Sequence, residues 1–211
     1  MNRKIVFLDI DGVLQPGYSE KRFDVIGRKD GKGGMPEVYE YLEYYFKIDY
    51  RKYNQYDVAA VYSDWDKTAV DLLKLTLSLT GAKIVLSSDW RREGYDRMKD
   101  FFTMHGLEKY YIDNTKDSKY IDTTYIEEER AIFKEKNGPN AYLDSRSIEI
   151  LEWLIRNPDV KKWVAIDDMR LSGLGDNFIN TRSSYTWEDA EKAIRLLSVN
   201  SKKKVSKLKG K

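Results

Sequence analysis

A doubly wound parallel α/β sheet is the fold class that this sequence predicts, and three short segments predict it. Ile5-Val6-Phe7-Leu8 runs into Asp9-Ile10-Asp11-Gly12, Ile84-Val85-Leu86 into Ser87-Ser88-Asp89, and Trp163-Val164-Ala165-Ile166 into Asp167-Asp168. Apolar runs without polar alternation suit strands buried on both faces, as in a parallel sheet covered by helices. Between them the apolar residues fall at helical spacing, so strands and helices alternate along the chain. Ligands bind outside the carboxyl ends of strands in such sheets. If the three strands are neighbours, their carboxylates and hydroxyls converge on one edge.

The first strand is Lys4 to Leu8, and Gly12 allows an immediate turn after the acids. Residues 15–63 form a long stretch, loop-like from Gly27 to Gly34 and then rich in tyrosine. Tyr39, Tyr41, Tyr44, Tyr45, Tyr50, Tyr53, Tyr56 and Tyr62 are half of the sixteen tyrosines, a density that predicts a flap packed by its own rings or a surface on which bases stack. Asp66 to Thr80 reads as a helix with Ala69, Leu72, Leu73, Leu75 and Leu77 apolar and Gly81 at its end. The strand Lys83 to Leu86 follows directly. Arg91 to Met104 reads as a helix ended by Gly106, with lone His105 a helix-end residue, and Tyr110 to Ile112 as a short strand. Residues 117–144 are polar, with a helix possible over Tyr125 to Lys136. Ser145 is the expected cap of a helix from Arg146 to Arg156, where Ile148, Leu151, Leu154 and Ile155 share a face. Asn157-Pro158 stops it. After the strand Trp163 to Ile166 come a loop with Gly173 and Gly175 and a short strand Phe178 to Asn180. A closing helix runs from Trp187 to Leu197, entered through a loose Thr186–Asp189 capping box.

The 211 residues suit one domain, expected over 1–199, with modest insertions at about 15–63 and 117–144 rather than a separate cap domain. There is no cysteine, which excludes disulfides and thiolate metal sites, and one histidine, which excludes a multi-histidine zinc site. The first strand begins by Lys4 and no apolar run approaches membrane-spanning length, so no signal peptide and a soluble, cytoplasmic protein are expected. Net charge is +2, but residues 200–211 hold six lysines and no acid, and without them the balance is −4. This lysine-rich tail is read as disordered, either a solubilising terminus or a contact for nucleic acid or another anionic surface.

In order and spacing, Phe7-Leu8-Asp9-Ile10-Asp11-Gly12-Val13-Leu14, Ile84-Val85-Leu86-Ser87-Ser88-Asp89-Trp90-Arg91 and Val164-Ala165-Ile166-Asp167-Asp168 resemble the first, second and fourth motifs of the haloacid dehalogenase-like (HAD) superfamily. The Ser-Ser-Asp-Trp-Arg ending and the helix around Glu149-Ile150-Leu151-Glu152-Trp153-Leu154 look like the small HAD phosphatase domains of RNA-repair proteins. The resemblance implies a Rossmann-like core with small flap or cap insertions.

Phosphoryl transfer needs an in-line nucleophile, a proton donor for the leaving oxygen and positive charge around the phosphoryl group. Asp9 at a strand tip is the candidate nucleophile, since an ionised carboxylate attacks without a base, and Asp11 the candidate acid and base. The second acid marks phosphatases in the resembled superfamily. Asp9, the backbone carbonyl of Asp11, and Asp167 with or without Asp168 form an all-oxygen set suited to Mg²⁺. The resemblance makes Asp167 the direct ligand and Asp168 its outer partner, an order that the residues alone leave open. Ser88 is the candidate donor to a phosphoryl oxygen, Ser87 the alternative, and Gly12 lies where backbone meets substrate. Arg146 fits the superfamily's third, cationic motif; Lys161 and Lys162 are alternatives at the wrong end of the sheet. Arg91 would touch substrate or brace its loop.

The expected function is therefore a Mg²⁺-dependent phosphomonoesterase working through an aspartyl-phosphate, on nucleotide or polynucleotide-end phosphates. The alternatives are a small-metabolite phosphatase and a catalytically idle nucleic-acid- or partner-binding module.

Overall fold

The computed structural model describes residues 3–28 and 33–198. Five strands, β1 (Arg3–Leu8), β2 (Lys83–Leu86), β3 (Tyr111–Asn114), β4 (Val160–Asp167) and β5 (Phe178–Asn180), form one all-parallel sheet in the order β3-β2-β1-β4-β5. The three acid-tipped runs are therefore the three central strands. The chain builds outward from β1 to β2 and β3 on one side, then returns to β4 and β5 on the other. The strand order reverses beside β1, where open sheets form their ligand crevice.

Alternate residues of the central strands feed two cores. Val6, Leu8, Ile84, Leu86, Val164 and Ile166 join a cluster built with α4 (Lys67–Thr80), α5 (Tyr95–Met104) and α8 (Trp187–Leu197). Ile5, Phe7, Val85 and Ala165 pack on the other face against Ile150 and Trp153 of α7 (Ser145–Arg156). There Phe7 meets Trp153 edge-on, ring centroids 5.4 Å apart.

Asp66 caps α4 by accepting from the Ala69 amide, and Gly81, at φ +71°, ends it in the left-handed region that a side chain disfavours. The Thr186–Asp189 capping box of α8 is complete.

Three local expectations are revised. The cap of α7 is Asp144, not Ser145: its Oδ1 accepts from Ser147 N at 2.7 Å, and its Oδ2 accepts from Ser172 N at 2.7 Å. One carboxylate thus fastens both the helix start and the loop after β4, which a serine hydroxyl could not span. The helix expected from Arg91 is broken in two, a 3₁₀ segment Asp89–Glu93 and then α5, because Gly94 adopts φ +90°. The third strand lies at Tyr111–Asn114, slightly later than expected. The stretch 15–63, for whose tyrosine-rich part no element was expected, contains in its described part α1 (Lys21–Gly27), α2 (Met35–Phe46), a 3₁₀ turn Tyr50–Lys52, α3 (Gln55–Ala59) and a π turn Ala60–Asp64. The polar stretch after residue 117 holds α6 (Thr123–Asn137), which has no fully buried residue.

The tyrosines divide. Tyr50 is buried and donates to the Asp100 carbonyl, and Tyr53 donates to the Asp100 carboxylate while packing on Phe101. Tyr41, Tyr44, Tyr45 and Tyr62 are exposed and touch one another. His105 stacks on Trp65, bonds the Val61 carbonyl, and is held by burial below the usual histidine pKa. Among the described residues no helix is long and apolar enough to cross a membrane. The lysine tail, 200–211, lies outside the described residues, as does part of the Gly27–Gly34 loop.

Candidate active site

Register assembles the site. Leu8 pairs with Leu86 on one side and with Ile166 on the other. The next residues of the three strands, Asp9, Ser87 and Asp167, are therefore side by side, locked by Ser87 N→Leu8 O at 2.8 Å and Asp9 N→Ile166 O at 3.0 Å. Asp9 and Asp167 are buried; Asp11 and Asp168, beside them along the chain, are exposed.

Arg146, in the first turn of α7, reaches between the two buried acids. Its Nη1 lies 3.2 Å from Asp9 Oδ1 and 3.1 Å from Asp167 Oδ2, and also donates to the Ser87 carbonyl. Burial raises the Asp9 carboxyl to about 6, with the Arg146 charge opposing. Burial and the Asp9 charge raise Asp167 to about 7, again against Arg146. Lys161 and Lys162, the alternatives for this cation, stand at the start of β4, the opposite edge of the sheet.

Asp11 sits at the mouth. Its Oδ1 accepts from Gln15 Nε2 at 2.9 Å and its Oδ2 from Trp90 Nε1 at 3.0 Å, which fixes the carboxylate plane. Partial burial raises its pKa from the ordinary aspartate value, opposed by the Trp90 hydrogen bond and the Arg22 charge. Arg22 is held in α1 by an ion pair to buried Asp64 at 2.5 Å, so the first insertion places a cation near Asp11. The Ser87 hydroxyl is buried with no hydrogen-bond partner and the Ser88 hydroxyl is buried beside the Asp9 carboxylate, whose pKa it lowers, so both are donors close to where an incoming oxygen would lie.

Arg91 occupies a bracing position. It is buried, donates to the Ser88 carbonyl at 2.8 Å and pairs with Glu149 at 2.9 Å. Glu149 also accepts from Ser118 N at 2.7 Å and lies 3.8 Å from Arg146 Nε. Its carboxylate thus ties together the serine loop, the segment after β3 and the cation of the site.

Oxygens of Asp9, Asp167 and Asp168 all lie within 4.8 Å of one another, a donor set suited to a hard divalent cation. The raised acids fit the same conclusion, since adjacent buried carboxylates favour a positive charge among them. Gly12 abuts this set. At φ +69°, an added Cβ would fall 2.4 Å from the Asp168 carboxylate. Gly12→Ala is therefore expected to destabilise the protein by about 1–3 kcal/mol from backbone strain alone and to displace Asp168. The denaturation midpoint should fall and the divalent-ion concentration needed for half-maximal binding should rise; an unchanged ion requirement would detach Gly12 from the cation set.

Gln15, Arg22 and Glu149 were not legible as site residues. Glu149 stands three residues after Arg146 on one helix, a spacing that could have flagged it. Trp90 lies in the Ser87-Ser88-Asp89-Trp90-Arg91 segment, but only the fold shows that it bonds Asp11.

A family profile described as the HAD domain in Swiss Army Knife RNA repair proteins matches residues 5–191, nearly the whole described chain. No curated protein and no solved structure matches it significantly. With a five-stranded all-parallel sheet and a profile match over residues 5–191, the chain belongs to the HAD domains of the Swiss Army Knife RNA repair proteins.

Proposed function

We propose that the chain is a Mg²⁺-dependent phosphomonoesterase that passes the phosphoryl group through Asp9, with nucleotide or polynucleotide-end phosphates as substrates. The observation that carries this reading is the division of labour between Asp9 and Asp11. Asp9 is buried and aligned beside a guanidinium, whereas Asp11 is accessible, held by two donors and raised in pKa. Bound Mg²⁺ would be held by Asp9 and Asp167, with Asp168 beside them and the Asp11 carbonyl a further candidate, and would supply charge neutralisation at the phosphoryl oxygens.

Asp9 attacks phosphorus as its bond to the leaving oxygen breaks, and protonated Asp11 delivers its proton to that oxygen. Asp11, now a carboxylate, takes a proton from water as the water attacks the acyl phosphate, which releases phosphate and restores both acids. Arg146 and the buried Ser87 and Ser88 hydroxyls supply positive potential and donors to the phosphoryl oxygens. The nucleic-acid assignment draws support from the RNA-repair family and from the lysines of residues 200–211.

A phosphate-release screen with Mg²⁺ over nucleotides, 5′- and 3′-phosphorylated oligonucleotides, sugar phosphates and an aryl phosphate tests both layers. Preferred turnover of nucleotide or oligonucleotide ends is expected. Preference for sugar phosphates would replace the substrate class, and no release even from the aryl phosphate would favour a binding module.

A further inference from the structure

At the amino ends of the central strands, the edge of the sheet opposite Asp9, lies a cavity of about 880 Å³. Its rim carries five cations, Arg3, Lys4, Lys83, Lys161 and Lys162, and its only acid is Asp113, whose carboxylate accepts from Trp153 Nε1 at 2.7 Å. These cations come from the first residues of β1, β2 and β4, so sheet topology, not local sequence, gathers them.

Arg3 is neutralised by Asp159 at 2.6 Å. The lysines are not: among the described residues none of the four forms an ion pair. Their ammonium groups donate instead to backbone carbonyls, Lys4 to Thr80 at 2.9 Å, Lys83 to Lys109 at 2.8 Å, Lys161 to Pro158 at 2.9 Å and Lys162 to Ser198 at 3.1 Å. Each carbonyl takes one of three N–H donors, leaving the others free. The negative ends of α4 and α8 account for attraction of Lys4 and Lys162, but Lys83 and Lys161 bond loop carbonyls. Four lysines without an ion pair line one concavity, with Asp113 in its lining and Asp159 near Lys161 the acids that offset them, and an anion there would relieve the remaining repulsion.

The lining is otherwise largely apolar, with Ile112 and Trp153 beneath the rim, and the volume is in the range that holds a small organic ligand. Ile112 and Trp153 beside a lysine-bearing rim match a nucleotide: sugar and base against the apolar side chains, phosphate at the lysines. From Lys4 to Asp9 the strand extends about 17 Å, too far for one nucleotide to serve both edges.

We propose that this cavity is a second, non-catalytic phosphate site that binds a nucleotide unit through Lys4, Lys83, Lys161 and Lys162, either free or within a single strand. It stands whether or not Asp9 is a nucleophile.

The test uses the full chain and a labelled single-stranded oligoribonucleotide with hydroxyls at both ends, so that no terminal phosphate addresses the acidic edge. Lys83→Gln/Lys161→Gln alters two exposed side chains outside the catalytic machinery. This variant is expected to weaken binding about tenfold or more and to flatten the salt dependence by roughly 0.7 per lost phosphate contact, while aryl-phosphate turnover stays unchanged. Lys83→Arg/Lys161→Arg should restore binding. Metal-free ATP that displaces the oligonucleotide identifies a free-nucleotide site; binding of the strand without displacement by ATP identifies a strand site. Full affinity in the glutamine variant, or loss of binding only when residues 200–211 are deleted, would overturn the proposal, as would absence of binding by both probes.

Discussion

Asp9→Asn is expected to abolish phosphate release, by about 10⁴-fold or more, with the fold intact. An amide is nearly isosteric with the carboxylate and can still occupy the space beside Arg146, but it is not a nucleophile. Asp11→Asn should fail differently. The nucleophile remains, so a substrate with a good leaving group, which needs little proton assistance, still phosphorylates Asp9. No base then activates water, and the acyl phosphate accumulates. Rapid acid quench followed by peptide mapping should find hydroxylamine-labile phosphate on the peptide containing Asp9. Steady-state activity of Asp9→Asn near wild type, in protein free of contaminating phosphatase, would rule out the covalent route.

Replacing Arg146 by methionine should have the second-largest effect, because one buried guanidinium balances Asp9, Asp167 and, more distantly, Glu149. In the metal-free protein the raised carboxyls of Asp9 and Asp167 bind protons more tightly when folded than when unfolded. Their contribution to stability is full below about pH 4 and is lost as pH rises through about 6 to 7. Without Arg146 both acids shift further up, so the loss above neutrality deepens. Arg146→Met is expected to be less stable than wild type by about 3–5 kcal/mol at pH 8, the cost of leaving a buried charge without its partner. The gap should narrow at pH 5, where protonation removes the charge, and Mg²⁺ at pH 8 should narrow it too. Denaturant titrations at the two pH values measure this, and a pH-independent gap would show that the guanidinium acts by packing alone. Turnover should fall by about 10²–10³-fold, as for loss of one preorganised donor at a developing charge.

The sequence by itself determined the chemistry-bearing strand ends. Apolar runs that end in Asp9, Ser87 and Asp167 are legible because burial on both faces leaves an uninterrupted pattern, and the helices α4, α7 and α8 because their apolar residues repeat at helical spacing. The Thr186–Asp189 box and Gly81 were readable for the same reason: caps depend on neighbours three or four residues away.

Tertiary structure alone decided everything that depends on residues distant in sequence. The register Leu8–Leu86–Ile166 makes three strand ends one site, and no local pattern encodes register between parallel strands separated by crossovers. Gln15 and Trp90 hold Asp11 only because turn and 3₁₀ segment meet over β1. Asp144 displaced Ser145 as the cap because it reaches Ser172 as well, a partner 28 residues away. The insertion formed helices where tyrosines obscured the period, anchored by Asp64 through Ser19 and Arg22. The lysines at the amino ends, each an unremarkable strand-start residue, became one cationic rim because parallel strands begin together at the edge opposite the one where they end.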